Sequence, residues 1–286
     1  MVIRKVEQDE LRAMAQFMAE MNARPEQHSL HCDRTVEDLT NNLLALSRPE
    51  DSFVVAVESG RISGALGGDY NDDKSRMWLW GPFVAGDNWE EVALALLNGL
   101  RAIWPADLEN SYTFFNQTNQ RGYNFFLAQG FQHHGIYHAY KALRPETFPE
   151  IPAIPELHPG QLDSYAALHN LAFPNTFHTG RDILEPLSEN RKLFVLAEGD
   201  EVQGYVEVSV NQFPPEGYIE FLAVRPGQRG RGLGRTLLTY ALHWCFNQRQ
   251  LPEVNLTVRD DNDNARALYE SVGFHLEYTG LSAKGK

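Results

Sequence analysis

Phe221–Leu238, with the sequence FLAVRPGQRGRGLGRTLL, is the most informative stretch of this 286-residue chain. A β-rich run ends at Val224, Pro226 and Gly227 stop it, and an apolar helical pattern begins after alternating glycines. Closely spaced glycines let a backbone turn several amides toward one point, and a helix N-terminus adds unpaired N–H groups with partial positive charge. The stretch therefore predicts a strand, an anion-binding loop suited to a pyrophosphate, and a helix.

Three familiar loop types fit these residues less well. A nucleoside-triphosphate loop needs Gly-Lys-Ser/Thr, whereas this loop runs Gly-Leu-Gly-Arg. A dinucleotide fingerprint spaces its glycines as GxGxxG, whereas Gly230, Gly232 and Gly234 alternate. A purely structural turn would need neither the alternating glycines nor the nearby arginines, which are Arg225, Arg229, Arg231 and Arg235.

The same order of elements is expected twice along the chain. In each half a helical pattern is followed by a strand–turn–strand unit, another strand, a long amphipathic helix and a Gly-Phe pair. Gly64 and Gly204 are 140 residues apart, as are Val84 and Val224, and the two Gly-Phe pairs are 143 apart. This near-constant offset indicates a tandem duplication, and the order of elements predicts an α/β (α+β) domain used twice.

Arg144–Pro159 is expected to separate the two halves. Five of its residues are prolines, which remove backbone donors and enforce an extended backbone, so a linker without helix is predicted. We therefore predict one domain over 1–145, a proline-rich linker over 146–159 and a second domain over 160–286. The long helix of the repeat is predicted over Glu91–Ile103 and again over Leu233–Phe246.

A second motif lies near the end of the chain, where NDNARALYESVGF begins at Asn262. Asn262, Ala265, Leu268 and Tyr269, followed by Gly-Phe, match the pattern Asn-x-x-Ala-x-x-Leu-Tyr…Gly-Phe. Within Gln228–Gly234, the six residues from Arg229 to Gly234 match Gln/Arg-x-x-Gly-x-Gly/Ala. With both motifs in this order, the second half resembles the GNAT superfamily of acetyltransferases, and the first half resembles it in layout. The resemblance implies two tandem GNAT-type domains, each a mixed, mostly antiparallel twisted sheet flanked by helices.

The resemblance further implies that acetyl-CoA is the cosubstrate and that the second half binds it. Its pyrophosphate would lie on the amides of Gln228–Gly234, and the N–H of Val224 would donate to the thioester carbonyl, stabilising the charge that grows during attack. Asn262 is expected to cap its helix, to hold the cofactor arm, or to do both. The expected contacts are Leu222, Ala223, Val224, Gln228, Arg229, Gly230, Arg231, Gly232, Leu233, Gly234, Arg235, Asn262, Ala265 and Tyr269.

Two side chains are predicted to move protons. Tyr269 matches the family's general acid, which would protonate the leaving CoA thiolate; the alternative is that it only packs on an apolar helix face. Glu220 is the candidate base, because period-two alternation places it on the strand face of Val224. Glu207 on the preceding strand is the second choice, Tyr218 is expected on the face of Glu220, and ordered water is a further candidate for removing the proton.

The first half lacks the parts that this chemistry needs. Where the second half reads RPGQRGRGLGR, the first reads AGDNWEEVALA, with neither alternating glycines nor arginine. Asp87, Glu90 and Glu91 fall where the helix should begin and would repel a pyrophosphate. Asn119 is the possible counterpart of the family asparagine, but Phe126 takes the tyrosine position and has no proton to give. The first half is therefore expected to bind no acetyl-CoA productively.

Composition and charge argue against several classes of protein. The net charge is −13, with −6 over 1–145 and −7 over 146–286, which disfavours nucleic acid or an anionic membrane as a partner. No apolar run approaches the roughly 20 residues of a membrane span. Because MVIRKVEQDE lacks a secretory signal core, and because Cys32 and Cys245 are far apart, a cytoplasmic, reduced protein is expected.

Together these features predict an enzyme that moves an acetyl group from acetyl-CoA to a primary amine of a small molecule or peptide, by direct attack in a ternary complex. Two alternatives remain: a non-catalytic CoA- or acyl-CoA-binding sensor, and a transferase that uses a longer acyl chain. The chain is expected to be a monomer or homodimer. No metal is predicted to take part, because the adjacent His133 and His134 of a strand point to opposite faces.

Overall fold

The structure, a computed structural model, describes residues 1–286 apart from 34, 47, 48, 72–74, 149, 175–178, 183, 185, 186, 213 and 214. Strands and helices mix along the whole chain, which confirms the predicted α/β (α+β) class. The residues group into two compact units. The N-unit comprises Met1–Tyr137 with Tyr278–Lys286, and the C-unit comprises His138–Glu277.

The N-unit contains one sheet whose strands run in the order β1-β2-β3-β4-β5-β11. All neighbouring pairs with described registers are antiparallel except β4–β5, which is parallel. Its elements are β1 (Val2–Lys5), α1 (Leu11–Asn22), α2 (Val36–Ala45), α3 (Pro49–Ser52), β2 (Phe53–Glu58), β3 (Arg61–Asn71), β4 (Arg76–Val84), α4 (Trp89–Arg101), β5 (Asn110–Asn116), α5 (Gln120–Ala128) and, from the end of the chain, β11 (His275–Gly285).

The C-unit repeats this arrangement with a sheet in the order β6-β10-β9-β8-β7. The pairs β7–β8 and β8–β9 are antiparallel and β9–β10 is parallel, so both sheets are mixed and mostly antiparallel, as predicted. Its elements are β6 (Gln132–Leu143), α6 (Leu162–Ala172), β7 (Arg191–Glu198), β8 (Glu201–Gln212), β9 (Pro215–Val224), α7 (Leu233–His243), β10 (Glu253–Arg259) and α8 (Asp263–Glu270).

The internal repeat is visible in the register of the strands. Gly64 pairs with Val84 in the N-unit, and Gly204 pairs with Val224 in the C-unit. A Cβ atom on Gly64 would lie 3.0 Å from Leu96 Cδ1, and one on Gly204 would lie 3.1 Å from Leu237 Cδ1. Glycine at this position therefore lets the long helix of each unit pack closely onto its sheet, which gives the repeated glycine a physical reason.

The long helices begin at or near the predicted residues. α4 spans Trp89–Arg101, two residues earlier than predicted, and α7 begins at Leu233 as expected. α7 ends at His243 and the chain continues as a wider π-helical turn over Trp244–Gln248, which contains the predicted end. Leu237, Leu238, Ala241 and Leu242 of α7 are buried in the core of the C-unit, and burying each leucine contributes roughly 1.5–3 kcal/mol.

The described residues of the predicted linker pack onto the C-unit. Ile154 is 6% exposed and packs in the core of the C-unit. Leu157 N donates to Leu193 O at 3.0 Å, and Val195 N donates to Pro155 O at 2.9 Å, so the segment runs along β7. Residue 149, one of the five prolines, lies outside the described residues.

The two units differ from the predicted division into 1–145, 146–159 and 160–286, and the difference lies in the last strand of each half. Gly280–Gly285 of β11 pairs antiparallel with Ser111–Asn116 of β5, so the end of the chain belongs to the N-unit. The C-unit in turn begins at His138, within β6. Within the described part of the chain, no helix combines the length and the apolar character that crossing a bilayer requires.

Candidate functional site

An open strand edge lies at the centre of the C-unit. β9 and β10 pair in parallel at Gly217–Tyr218 and Val254–Asn255, and the register described for them stops there. On the other side of β9, Arg225 N donates to Gln203 O at 2.8 Å. Since successive residues of an antiparallel pair turn their polar groups to alternate sides, the N–H and C=O of Val224 point away from β8, toward the open edge.

The loop between Val224 and α7 has the conformation that an anion cradle needs. Gly230 has φ +78° and Gly232 has φ +84°, and a Cβ atom on either would meet nothing within 4 Å. Their glycine is therefore required by backbone conformation rather than by space. Gly232 is the N-cap of α7 and supplies no side-chain cap, so this end of α7 can offer N–H groups to an anion.

Gly234 brings the two sequence motifs together. A Cβ atom there would lie 3.2 Å from Leu268 Cδ2 of α8 and 3.7 Å from Val224 Cγ2 of β9. Arg235 adds a second link, because its Nη1 donates to Ser271 O, just after α8, at 3.1 Å. The end of β9, the start of α7 and helix α8 thus converge on one point of the C-unit.

The arginines of the loop make different contacts. Arg225 donates to Val202 O at 3.0 Å and to Ser164 Oγ at 3.2 Å, so it fastens the loop to β8 and α6. Arg229 Nε donates to Val224 O at 3.2 Å, and Arg231 bonds to the Gln228 side chain within the loop. Both of these side chains are exposed, and they keep positive charge beside the glycines.

Asn262 and Tyr269 lie on α8 as the motif predicts. Asn262 Oδ1 accepts a hydrogen bond from Ala265 N at 3.2 Å, so the predicted capping role is confirmed. The Tyr269 ring lies 6.2 Å from that of Tyr140 and 6.1 Å from that of Phe274, and burial raises the pKa of Tyr269 to about 12.

The predicted contact residues of β9 divide between its two faces. Leu222 and Val224 pack against the same core as Ala265 and Tyr269. Ala223 packs in the separate core on the opposite face, and by the same alternation its N–H and C=O point toward β8 rather than toward the open edge.

Glu220 does not share the face of Val224, so the alternation argument for it is wrong. Glu207 pairs with Phe221 and Val208 pairs with Ile219, which leaves Glu220 as the extra residue of a β-bulge. A bulge breaks period-two alternation, and the Glu220 carboxylate accepts a hydrogen bond from Ser209 Oγ at 2.6 Å on the other face. Tyr218 pairs with Ser209 and lies on the same face as Glu220, as predicted.

Glu207, the second choice for a base, is fully buried on that face. Arg191 pairs with it at 2.6 Å, and burial, partly offset by this cation, raises the pKa of Glu207 to about 7. Next to it, His169 Nδ1 and Tyr205 OH are 2.7 Å apart, and burial raises the pKa of Tyr205. The sequence did not predict these contacts of Arg191, His169 and Tyr205. The signal it offered was that each is a polar residue within an apolar pattern.

The N-unit replaces these polar positions with an apolar core. Gly67 stands 140 residues before Glu207, and Trp80 stands 140 before Glu220. A Cβ atom on Gly67 would lie 2.1 Å from Phe53 Cδ1, and the Phe53 and Trp80 rings are 5.6 Å apart. The fully buried Phe126 takes the place of Tyr269, so aromatic packing fills the counterpart of the site.

The clustered histidines serve local contacts. His133 Nδ1 lies 2.6 Å from Tyr123 OH in the N-unit, and His138 Nε2 lies 2.7 Å from Asp260 Oδ1 in the C-unit. Among the residues that the structure describes, no group of three metal-binding side chains is found.

Comparison with known families decides the class of this site. The sequence profile of the Acetyltransferase (GNAT) family matches residues 162–274, which include the glycine loop, Asn262 and Tyr269. Residues 162–274 of this chain form a GNAT acetyltransferase domain. Members of this family use acetyl-CoA as the acetyl donor, and the open loop of the GNAT domain fits a pyrophosphate.

Among its relatives, a mycothiol acetyltransferase of Streptomyces avermitilis is 33% identical over 132 residues, 43% of this chain and 42% of that protein. The N-alpha-acetyltransferase RimI of Mycobacterium tuberculosis is 38% identical over 104 residues, 33% of this chain and 63% of that protein. The chain thus spans less than two thirds of the length of each.

Two solved structures extend the likeness to the whole chain. The match with a GCN5-related N-acetyltransferase from Sphaerobacter thermophilus covers 99% of this chain and 95% of that protein, with TM-score 0.72 and 17% identity. The match with a tandem GNAT protein from the clavulanic acid biosynthesis pathway covers 99% of this chain and 98% of that protein, with TM-score 0.64 and 14% identity. At these identities the likeness shows the fold, and the fold is a tandem GNAT arrangement.

Proposed function

We propose that this protein transfers an acetyl group from acetyl-CoA to a primary amine of a small molecule or peptide, by direct attack in a ternary complex. The GNAT domain supports acetyl transfer, and the geometry of the C-unit supports the assignment of individual residues. The observation that carries the proposal is the convergence of β9, α7 and α8 at Gly234.

When bound, acetyl-CoA supplies an acetyl thioester, and the backbone of the C-unit holds and activates it. The amides around Gly230 and Gly232, with the start of α7, hold the pyrophosphate. The outward N–H of Val224 donates to the thioester carbonyl, and this bond strengthens as negative charge grows on the oxygen. Arg229 and Arg231 add exposed positive charge beside the same loop.

Glu220 and Tyr269 handle the protons. Glu220 accepts the proton of the attacking ammonium, with Ser209 Oγ holding its carboxylate at 2.6 Å. Tyr269, whose pKa is raised to about 12, stays protonated at neutral pH. Its hydroxyl therefore remains a hydrogen-bond donor to the CoA sulfur as negative charge develops there.

The acceptor binds on the face of the sheet that carries Glu220, Tyr218 and Glu207. The Glu220 carboxylate on this face attracts an ammonium group, and the net charge of −13 favours cationic acceptors over anionic ones. One relative is named for mycothiol and another for the N-alpha position, which supports a small-molecule amine and a peptide amine as the two acceptor classes to test.

The decisive experiment follows thiol release from acetyl-CoA with a panel of small primary amines and short peptides. We expect amine-dependent release with the wild-type chain, and a kcat lower by roughly tenfold to a hundredfold in Glu220→Gln at unchanged acetyl-CoA affinity. Binding without amine-dependent release by any panel member would favour a sensor. Preference for propionyl- or longer acyl-CoA in the same assay would revise the donor.

A further inference from the structure

The N-unit contains the same kind of strand gap as the GNAT domain. β4 and β5 pair in parallel at Arg76–Trp78 and Asn110–Tyr112, where their described register ends. Ala85 N donates to Ser63 O at 2.9 Å, 140 residues before the bond from Arg225 to Gln203. By the same alternation, the N–H and C=O of Val84 point away from β3, toward the gap between β4 and β5.

A segment of the chain's own backbone fills this gap. Gln27 Oε1 accepts from Val84 N at 3.0 Å, and Gln27 Nε2 donates to Val84 O at 3.0 Å. On the opposite edge, Leu30 N donates to Phe114 O at 2.7 Å and Asn116 N donates to His28 O at 3.1 Å. Gln27–Leu30 thus bonds to β4 through a carboxamide and to β5 through its main chain.

The filling segment is firmly held. The buried Asn22 accepts from Ser29 N at 2.7 Å, and Thr118 Oγ1 donates to Pro25 O at 2.8 Å. Gln27 itself is 7% exposed. The cavity that remains beside Gln27, Val84 and Trp89 has a volume of about 210 Å³, below the roughly 300–1,000 Å³ of most small-molecule sites.

We propose that Gln27–Leu30 permanently occupies the N-unit's counterpart of the acetyl-CoA groove, with the Gln27 carboxamide bonded where an acyl-pantetheine arm would bond, so that each chain binds one acetyl-CoA and binds it in the C-unit. This inference rests on the proposed function for the identity of the ligand. An amide is a close chemical match for the arm, because pantetheine itself presents amide donors and acceptors to a strand edge. The N-unit is therefore closed by an internal ligand mimic as well as by the loss of its glycine loop.

Calorimetric titration of the full chain with acetyl-CoA tests the stoichiometry. We expect one equivalent per chain for the wild type and none for Gly232→Asp. Two equivalents in the wild type, or one remaining in Gly232→Asp, would overturn the inference. Absence of binding by the wild type would instead overturn the proposed function.

Hydrogen exchange at the Val84 amide tests the role of Gln27 independently of acetyl-CoA. We expect Gln27→Ala to speed exchange of this amide by at least about tenfold, while the Ala85 amide, bonded to Ser63 O, changes little. Acetyl-CoA should leave Val84 exchange in the wild type unaltered. An unchanged Val84 rate in a folded Gln27→Ala chain, or a rate that responds to acetyl-CoA in Gly232→Asp, would contradict the assignment.

Discussion

Val84 and Val224 end equivalent strands in the same register, yet their surroundings differ in every feature that chemistry requires. The loop after Val224 has eight residues, 225–232, before α7 begins, whereas the loop after Val84 has four, 85–88, before α4. The N–H of Val224 faces an open edge while its C=O accepts from Arg229, whereas both the N–H and the C=O of Val84 are bonded to Gln27. The comparison teaches that register and packing preserve a fold, while a few loop and face residues decide whether it retains a site.

Gly232→Asp should produce the largest effect on this contrast. An L-residue at φ +84° is strained by about 1–2 kcal/mol, and the carboxylate would repel the pyrophosphate. We expect acetyl-CoA affinity, measured by calorimetry, to fall by at least about 100-fold, which is roughly 2.7 kcal/mol. Gly86→Asp is the matched control, because Gly86 has φ +89° at the corresponding loop of the N-unit; the same loss there would erase the distinction between the loops.

Tyr269→Phe makes this position of the C-unit resemble Phe126 of the N-unit. We expect kcat to fall by roughly 100-fold, with acetyl-CoA affinity nearly unchanged because the ring is retained. Tyr140→Phe is the control: it removes a 2.9 Å bond to Glu270 Oε1 beside Tyr269 and should lower stability by about 1 kcal/mol with little effect on kcat. Equal effects of the two variants on kcat would show that Tyr269 only packs.

Glu207→Gln tests the buried carboxyl that the N-unit replaces with Gly67. The pKa of Glu207 is raised to about 7 in the folded chain, so between its unfolded pKa and pH 7 the folded state binds more protons. Wild-type stability should therefore fall as pH rises through this window, by roughly 3 kcal/mol in total.

Urea unfolding between pH 4.5 and 7.5 measures this slope. Glu207→Gln should show a smaller decline over the range than the wild type, since its side chain does not titrate. Glu156→Gln, which alters an exposed pair with Lys192, should keep the wild-type slope. A Glu207→Gln curve parallel to that of the wild type would exclude Glu207 as its source.

The two helix-capping asparagines should give the smallest effects. Asn262→Ala removes an exposed cap and should destabilise the C-unit by about 1 kcal/mol. Asn119→Ala should cost more, because Asn119 is 1% exposed and caps α5 through a 2.9 Å bond from Gly122 N. Unfolding measurements rank the two, and acetyl-CoA affinity should weaken in Asn262→Ala alone; a loss in Asn119→Ala would implicate the N-unit in donor binding.

Sequence patterns predicted the repeated fold because its determinants are local. Alternating glycines, helical periodicity and the Asn-to-Tyr motif lie within short segments, so the loop, α7 and α8 were placed correctly. Gly64 and Gly204 helped to identify the duplication by their constant offset. Both positions are glycine because a helix leucine in each unit leaves no space there for a side chain.

Several features depend instead on residues far apart in sequence or on backbone irregularity. A single bulge moved Glu220 to the other face of β9, which alternation does not anticipate. The Arg191–Glu207 pair joins two strands, and the Gln27–Val84 bonds join residues 57 apart. No local pattern encodes such partners, so the face on which Glu220 lies and the bonding of Gln27 to Val84 could be found only from the structure.

The pairing of β11 with β5 has a consequence for how this protein is made. On the ribosome, Ser111 emerges long before Gly285, its partner in the sheet, so β5 lacks this partner strand until β11 has been synthesised. Residues of the C-unit through Glu277 are all available sooner. The half that is translated first is therefore the half that finishes folding last, and a fragment ending at Tyr137 would lack the strand that closes it.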